Sequence, residues 1–288
     1  MFFFKTMSAM MWIFGNSWRE NMNKIKIISG WSKEGGSTFS LMELCDLLNE
    51  RGHACTFYGP HPWHLDKCKG DLIHNFKMEE GDIIIGHFIH LNERHPLPKK
   101  IILSCHEKAI FPLQQLEEQT AGFDKIRFIS DDQMKWQGKE GIVIPNTIRG
   151  VKDSGNHPEG IAGVIGTVCP LKQTHVSVKR ALDDGCRKVL IYGNSLDEKY
   201  FNDAIQPVLN YNQNVIYMGM ELDRQKIYDS ISCVYQSNSD ELPEAFGRVR
   251  AECIRAGIKY HGNKNATTEF ELWDEDKIFD AWKELLEL

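Results

Sequence analysis

What most constrains this chain is an alternation, from residue 22 onward, of short runs rich in Ile, Val or Phe with longer amphipathic stretches. The runs fall at 24–29, 54–58, 82–87, 100–104, 127–130 and 142–145. Apolar runs this short and continuous suit strands covered on both faces, as in a parallel sheet between helix layers. The clearest helix is 37–50, with Leu41, Leu44, Leu47 and Leu48 on one face and Gly52 at its C-terminal stop. A polar connector at 150–160, containing Asp153, Ser154, Gly155, Asn156 and Pro158, interrupts the series. The alternation then resumes, with strands expected at 163–168, 188–192, 214–218 and 233–236 and helices near 175–184, 197–211, 223–230 and 246–256.

The expected architecture is therefore α/β, with two Rossmann-like doubly wound domains, 22–149 and 150–273, facing each other across a cleft. A closing helix is expected over 274–288, where Ile278, Trp282, Leu285 and Leu286 recur at helical spacing. In such sheets ligands bind beyond the carboxyl ends of the strands, so the cleft between the domains is the expected site. Residues 1–21 read as a disordered leader. Their apolar run is broken by Lys5 and falls short of the ~20 residues a membrane span needs. They also lack a convincing signal-peptide cleavage site, which leaves peripheral membrane contact as their alternative role.

Composition removes several function classes. Among 288 residues, 34 Lys and Arg stand against 40 Asp and Glu, a net charge of −6, which disfavours a globally basic nucleic-acid binder. Eight cysteines never form a C-x-x-C pair, so neither a zinc knuckle nor a disulfide framework is indicated, and a cytoplasmic protein with reduced thiols is expected. His61-x-x-His64 and His87-x-x-His90 have usable spacing but no matching acidic or Cys cluster, so no metal site is expected.

The segments with chemical content sit at strand-to-helix junctions. Gly35 and Gly36 directly precede the first amphipathic helix, where backbone can approach a ligand closely and free N–H groups can meet a phosphate or sugar oxygen. In the second half, Glu244 and Glu252 flank Phe246, Gly247 and Arg248. Eight steps of ~100° would set the two carboxylates about 80° apart on an ideal helix, so they cannot be an acid–base dyad on one face and must do different jobs. Glu244, at or before the helix start, can point into a cleft.

The ordered set Gly35-Gly36, Ile144-Pro145-Asn146, Gly166-x5-Lys172 and Glu244-x7-Glu252 with Phe246-Gly247 resembles the retaining glycosyltransferases of the GT-B fold, especially family 4. The resemblance runs over 24–262. It implies a nucleotide-sugar co-substrate, UDP- or GDP-linked, on the C-terminal domain, with no further cofactor, and a saccharide or other small acceptor on the N-terminal domain. It further implies that Glu244 contacts donor sugar hydroxyls, Glu252 the nucleotide ribose and Lys172 the diphosphate. Gly193 and Asn194 resemble the family's second glycine turn, beside the nucleotide. His106, after a strand of the acceptor domain, falls where the family places a histidine near the reaction centre. Trp63 and His87 are the acceptor-side candidates. One departure matters: the family's arginine after the glycine is Thr167 here, leaving one diphosphate cation unaccounted for, with Arg248 and Arg149 as candidates. The alternatives are transfer to modified DNA bases, a nucleotide-sugar epimerase or hydrolase, and a catalytically weak nucleotide-sugar-binding protein. Residues 23–148 carry 15 Lys and Arg against 17 Asp and Glu, which favours a small acceptor over duplex DNA.

Overall fold

The computed structural model describes residues 24–31, 35–60, 68–108 and 117–288. The expected leader and Trp63 lie outside the described residues.

Seven parallel strands form the first sheet: β1 (Ile25–Ser29), β2 (Cys55–Gly59), β3 (Lys69–Leu72), β4 (Ile83–His87), β5 (Lys100–Ser104), β6 (Lys125–Phe128) and β7 (Ile142–Val143). Their spatial order is β3-β2-β1-β4-β5-β6-β7. Five parallel strands form the second: β8 (Ile161–Ile165), β9 (Lys188–Tyr192), β10 (Val215–Gly219), β11 (Cys233–Gln236) and β12 (Lys259–Gly262). Here the order is β10-β9-β8-β11-β12. In each sheet the order reverses beside its first strand, between β1 and β4 and between β8 and β11. Such switch points open a crevice at the strands' carboxyl ends.

The apolar runs form strands because both faces of each sheet are covered. Ile25 and Ile27 pack under α1 (Gly36–Glu50) with Leu41, Leu44 and Leu48, while Ile28 meets Ile84 and Ile101 on the opposite face. Two strands carry no apolar run and escape the sequence reading. β3 is Lys-Gly-Asp-Leu and β12 is Lys-Tyr-His-Gly, and both lie at sheet edges where one flank is unpaired and polar residues are tolerated. A short helix, α2 (Asp131–Gln137), is likewise unforeseen, because its buried residues are Gln133 and Gln137 instead of an apolar stripe.

The second sheet carries α3 (Thr174–Asp183), a helical stretch over 198–211, α4 (Arg224–Asp229) and α5 (Arg248–Ala256). The last helix, α6 (Glu275–Leu286), crosses back and inserts Ile278, Trp282, Leu285 and Leu286 into the core of the first sheet. A separate apolar cluster joins the halves at the base of the cleft, with Ile129 and Ile148 from the first meeting Ala245, Phe246 and Ala251 from the second. Among the described residues no helix is long and apolar enough to cross a membrane.

Candidate functional site

A cavity of about 280 Å³ opens where the carboxyl ends of the two sheets face each other. From the first half its wall takes Trp31 and Gly35–Gly36 after β1, Phe88 after β4 and His106 after β5. From the second it takes Gly166–Thr167 after β8, Gly193–Asn194 after β9 and Glu244 through Phe246 before α5. At Gly193, which has φ +142°, glycine is required by backbone contact, since a Cβ there would lie 1.9 Å from the carbonyl oxygen of Gly166.

Lys172 and Glu244 meet on this wall. Lys172 Nζ donates to Glu244 Oε2 at 3.1 Å, and Gln236 and Asn238 side-chain amides approach the same oxygen at 3.4 Å. Burial opposes ionisation of Glu244. The Lys172 ammonium, the Asn238 amide and the Gly247 N–H outweigh it and hold the carboxyl below its ordinary range. Glu244 lies in the loop ahead of α5, not on it, and its backbone is fixed from both halves. Its N–H donates to Asn265 O at 2.8 Å, Thr268 Oγ1 donates to its carbonyl at 2.5 Å, and Ser130 Oγ donates to the next carbonyl, Ala245 O, at 2.7 Å.

Glu252 is placed differently. It is 0% exposed and behind the wall, because its carboxylate is taken up by three donors: Arg224, Arg248 Nε at 2.8 Å and Tyr228 Oη at 2.6 Å. Burial pushes its pKa up, but the two guanidiniums prevail and hold it below the ordinary value. Arg248 also crosses to the first half, donating to Glu43 Oε1 at 2.6 Å and Ser40 Oγ at 2.8 Å on α1. Arg224 and Arg248 both reach the wall. Arg149 does not: it is held by Asp46, Glu50 and Glu275. Gly247 caps α5 with φ +72° and stands behind Glu244 and Phe270.

On the opposite side, Trp31 and Phe88 form an aromatic corner with ring centroids 4.9 Å apart. Phe88 has φ +51°, a region bulky side chains avoid. It is held there by the junction of two loops: Gly30 N–H donates to His87 O at 2.9 Å, and a Cβ on Gly30 would sit 2.3 Å from Phe88 O. His87, expected on the acceptor side, is buried behind this corner. Its Nδ1 meets Ser29 Oγ at 2.8 Å and its Nε2 meets Glu107 at 3.3 Å. His106 remains on the wall above Ser104 and the buried Arg127. Trp31, Phe88, Arg127 and Arg224 had not been singled out from sequence. Among the described residues no group of three or more His, Cys, Asp or Glu side chains could hold a metal ion.

No family model and no curated protein matches the chain. Solved structures do. AviGT4, a glycosyltransferase involved in avilamycin A biosynthesis, superposes with a TM-score of 0.65 at 16% identity, covering 92% of this chain and 93% of that one. The chain has the GT-B fold. HepE of Anabaena, in complex with UDP and glucose, is similar at a TM-score of 0.63 and 14% identity, covering 83% of this chain and 80% of its own. An alpha-glucosyltransferase in complex with UDP and a 13-mer DNA gives 0.58 at 14% identity over 93% and 90% of the two chains. The cavity of this GT-B chain lies between its two Rossmann-like domains, at both switch points.

Proposed function

We propose that the chain is a glycosyltransferase that moves a sugar from a UDP- or GDP-linked donor to a saccharide or other small acceptor, with retention at the anomeric carbon. The observation that carries this reading is the Lys172–Glu244 pair where the two switch points meet. As the donor bond breaks, negative charge grows on the departing diphosphate, and catalysis requires a cation and N–H donors already in place there. Lys172 supplies the cation and the free N-terminal N–H groups of α5 the dipoles. Arg224 replaces the arginine missing at Thr167, since its partners Glu252 and Tyr228 hold it on the wall. A diphosphate that takes over Lys172 releases Glu244 to accept hydrogen bonds from donor sugar hydroxyls. Cationic side chains and helix N–H groups make the charge balance independent of a metal. Retention is what the resemblance of the motif order to family 4 implies. All eight cysteines are free thiols, which suits a cytoplasmic enzyme.

The acceptor reading rests on the Trp31–Phe88 corner, because the apolar face of a sugar ring packs on such rings. A second reading, transfer to modified DNA bases, draws on the similarity to the DNA-bound alpha-glucosyltransferase. The small anionic excess over 23–148 weighs against it. The test is transfer from a panel of labelled nucleotide-sugars to saccharides and to hydroxymethylated duplex DNA at two salt concentrations. Labelled saccharide is expected. Efficient, salt-sensitive labelling of DNA alone would overturn the acceptor assignment, and donor binding without any transfer would overturn the enzyme assignment.

A further inference from the structure

His106 is 7% exposed, and its two ring nitrogens are unequal. Nε2 lies 3.0 Å from Ser104 Oγ and 3.1 Å from Arg127 Nη1, which also donates to Ser104 Oγ at 3.1 Å. A guanidinium offers only N–H donors, so Nε2 must be the accepting nitrogen and the single hydrogen of the neutral ring sits on Nδ1. Nδ1 is buried and has no partner among the described residues. The ring therefore carries an N–H that nothing among the described residues uses, in a residue that forms part of the cavity wall.

Arg127 is as unusual as its neighbour. It is 2% exposed and, among the described residues, makes no ion pair. Its guanidinium donates to Asn146 Oδ1 at 3.2 Å and lies 5.5 Å from the centre of the Trp282 ring, while its Nε has no partner among the described residues. A buried cation without a carboxylate is costly, and a structure keeps one where the charge has a use. Burial draws its pKa down to about 9, so it is still charged at neutral pH.

We propose that Arg127 is a positioning residue that fixes His106 in the tautomer with hydrogen on Nδ1, making His106 a hydrogen-bond donor to a substrate oxygen in the cavity and not a general base. The function of that hydrogen bond rests on the glycosyltransferase reading; the tautomer does not. No proton leaves the ring. The Arg127 charge at Nε2 polarises the imidazole and strengthens donation from Nδ1, as a neutral histidine can do for a reacting oxygen. The groups around the ring act in the same direction. Burial first, then Arg127 from β6, His87 from β4 and Arg248 from α5, hold His106 well below its ordinary pKa. The neighbouring Ser104 and Asn146 are neutral, and the nearby carboxylate of Glu107 is engaged by His87 Nε2.

The decisive measurement is a long-range nitrogen-15 spectrum of the histidine-labelled full chain, with His106 assigned by its loss in His106→Asn. The expected result is a pyrrole-like Nδ1 and a pyridine-like Nε2, unchanged between pH 8 and pH 6. A pyrrole-like Nε2, or titration to imidazolium within that range, would overturn the proposal, and neither outcome depends on what the protein catalyses. Kinetics supply the second arm. Arg127→Met is expected to lower kcat about tenfold with donor KM within twofold, and to give the nitrogen-15 spectrum a pyrrole-like Nε2 component as the hydrogen is no longer confined to Nδ1. Arg127→Lys, which keeps a cationic donor at Nε2, should restore most of kcat and the pyrrole-like Nδ1 signal. In a His106→Asn background, Arg127→Met should cost nothing further; an equal loss in both backgrounds would make Arg127 merely structural and sink the positioning role. Should Arg127→Met fail to fold, Arg127→Lys and the spectrum of the unaltered protein decide alone.

Discussion

The two walls of the cavity are built on opposite electrostatic plans. On the second-sheet side every wall cation has a carboxylate: Lys172 has Glu244, Arg224 has Glu252, and Arg248 has Glu252 and Glu43. On the first-sheet side the Trp31–Phe88 corner forms much of the surface, with Lys108 paired to Asp132 at its edge, and the cation beneath it, Arg127, has no carboxylate among the described residues. A wall of matched charges can receive a diphosphate by exchange, with the ligand taking the place of a protein carboxylate at little net electrostatic cost. A wall with an unmatched buried charge polarises a neutral group instead. The contrast fits a charged donor on one side and an uncharged acceptor on the other.

The comparison can be broken at several points. The largest effect is expected at Glu252, where Glu252→Ala leaves two guanidiniums buried without their shared partner and should cost about 3–5 kcal/mol in urea unfolding. The sign with pH follows from its depressed pKa. Its stabilisation is fully present above the unfolded value of 4.5 and is lost as pH falls through the lower folded value, so wild type and mutant should converge only in strong acid. If they converge near neutrality, the ion-pair network is not what Glu252 contributes.

Next comes the exchangeable pair. Lys172→Ala and Glu244→Ala should each reduce transfer at least tenfold, about 1.4 kcal/mol of transition-state stabilisation. Both side chains are partly exposed, so melting temperatures should stay close to wild type. Unchanged turnover in either folded mutant would remove the pair from the site. A smaller effect is expected on the aromatic side, where Trp31→Ala should raise acceptor KM about fivefold, roughly 1 kcal/mol, and leave donor KM unaltered. A shift in donor KM instead would place the corner on the wrong substrate. The smallest expected change is none: a chelator should leave transfer intact, and complete loss restored by a divalent ion would show that side chains and helix dipoles do not carry the charge by themselves.

Sequence made the sheet interiors legible because continuous Ile and Val runs are needed where a strand is covered on both faces, as in β1, β4 and β9. It hid β3 and β12, whose edge positions require no such run. The site divides in the same way. Glu244, Lys172 and the glycine turns follow one another in a recognisable order, and the chain brings them to one cavity. Trp31 and Phe88 belong to different loops and meet only through the Gly30–His87 junction. Arg127 reads locally as one polar residue in an alternating strand, and its partners come from β5, from the stretch after β7 and from α6. The burial of Glu252 depends on Arg224, 28 residues away in sequence and two elements earlier, which no local spacing records.

The return of α6 to the first sheet has a consequence for how the protein is made. The core around Ile25, Leu41 and Ile83 is completed by Ile278, Trp282, Leu285 and Leu286, and Trp282 also covers the Arg127 guanidinium. During vectorial synthesis the ribosome releases the first half long before those residues emerge, so the earliest-made sheet waits with an apolar face open while the second sheet is being translated. Contacts this distant along the chain form slowly, and intermediates with such faces exposed are prone to aggregate. The first sheet's core is therefore complete only once the last helix has been made and has closed the half that was begun first.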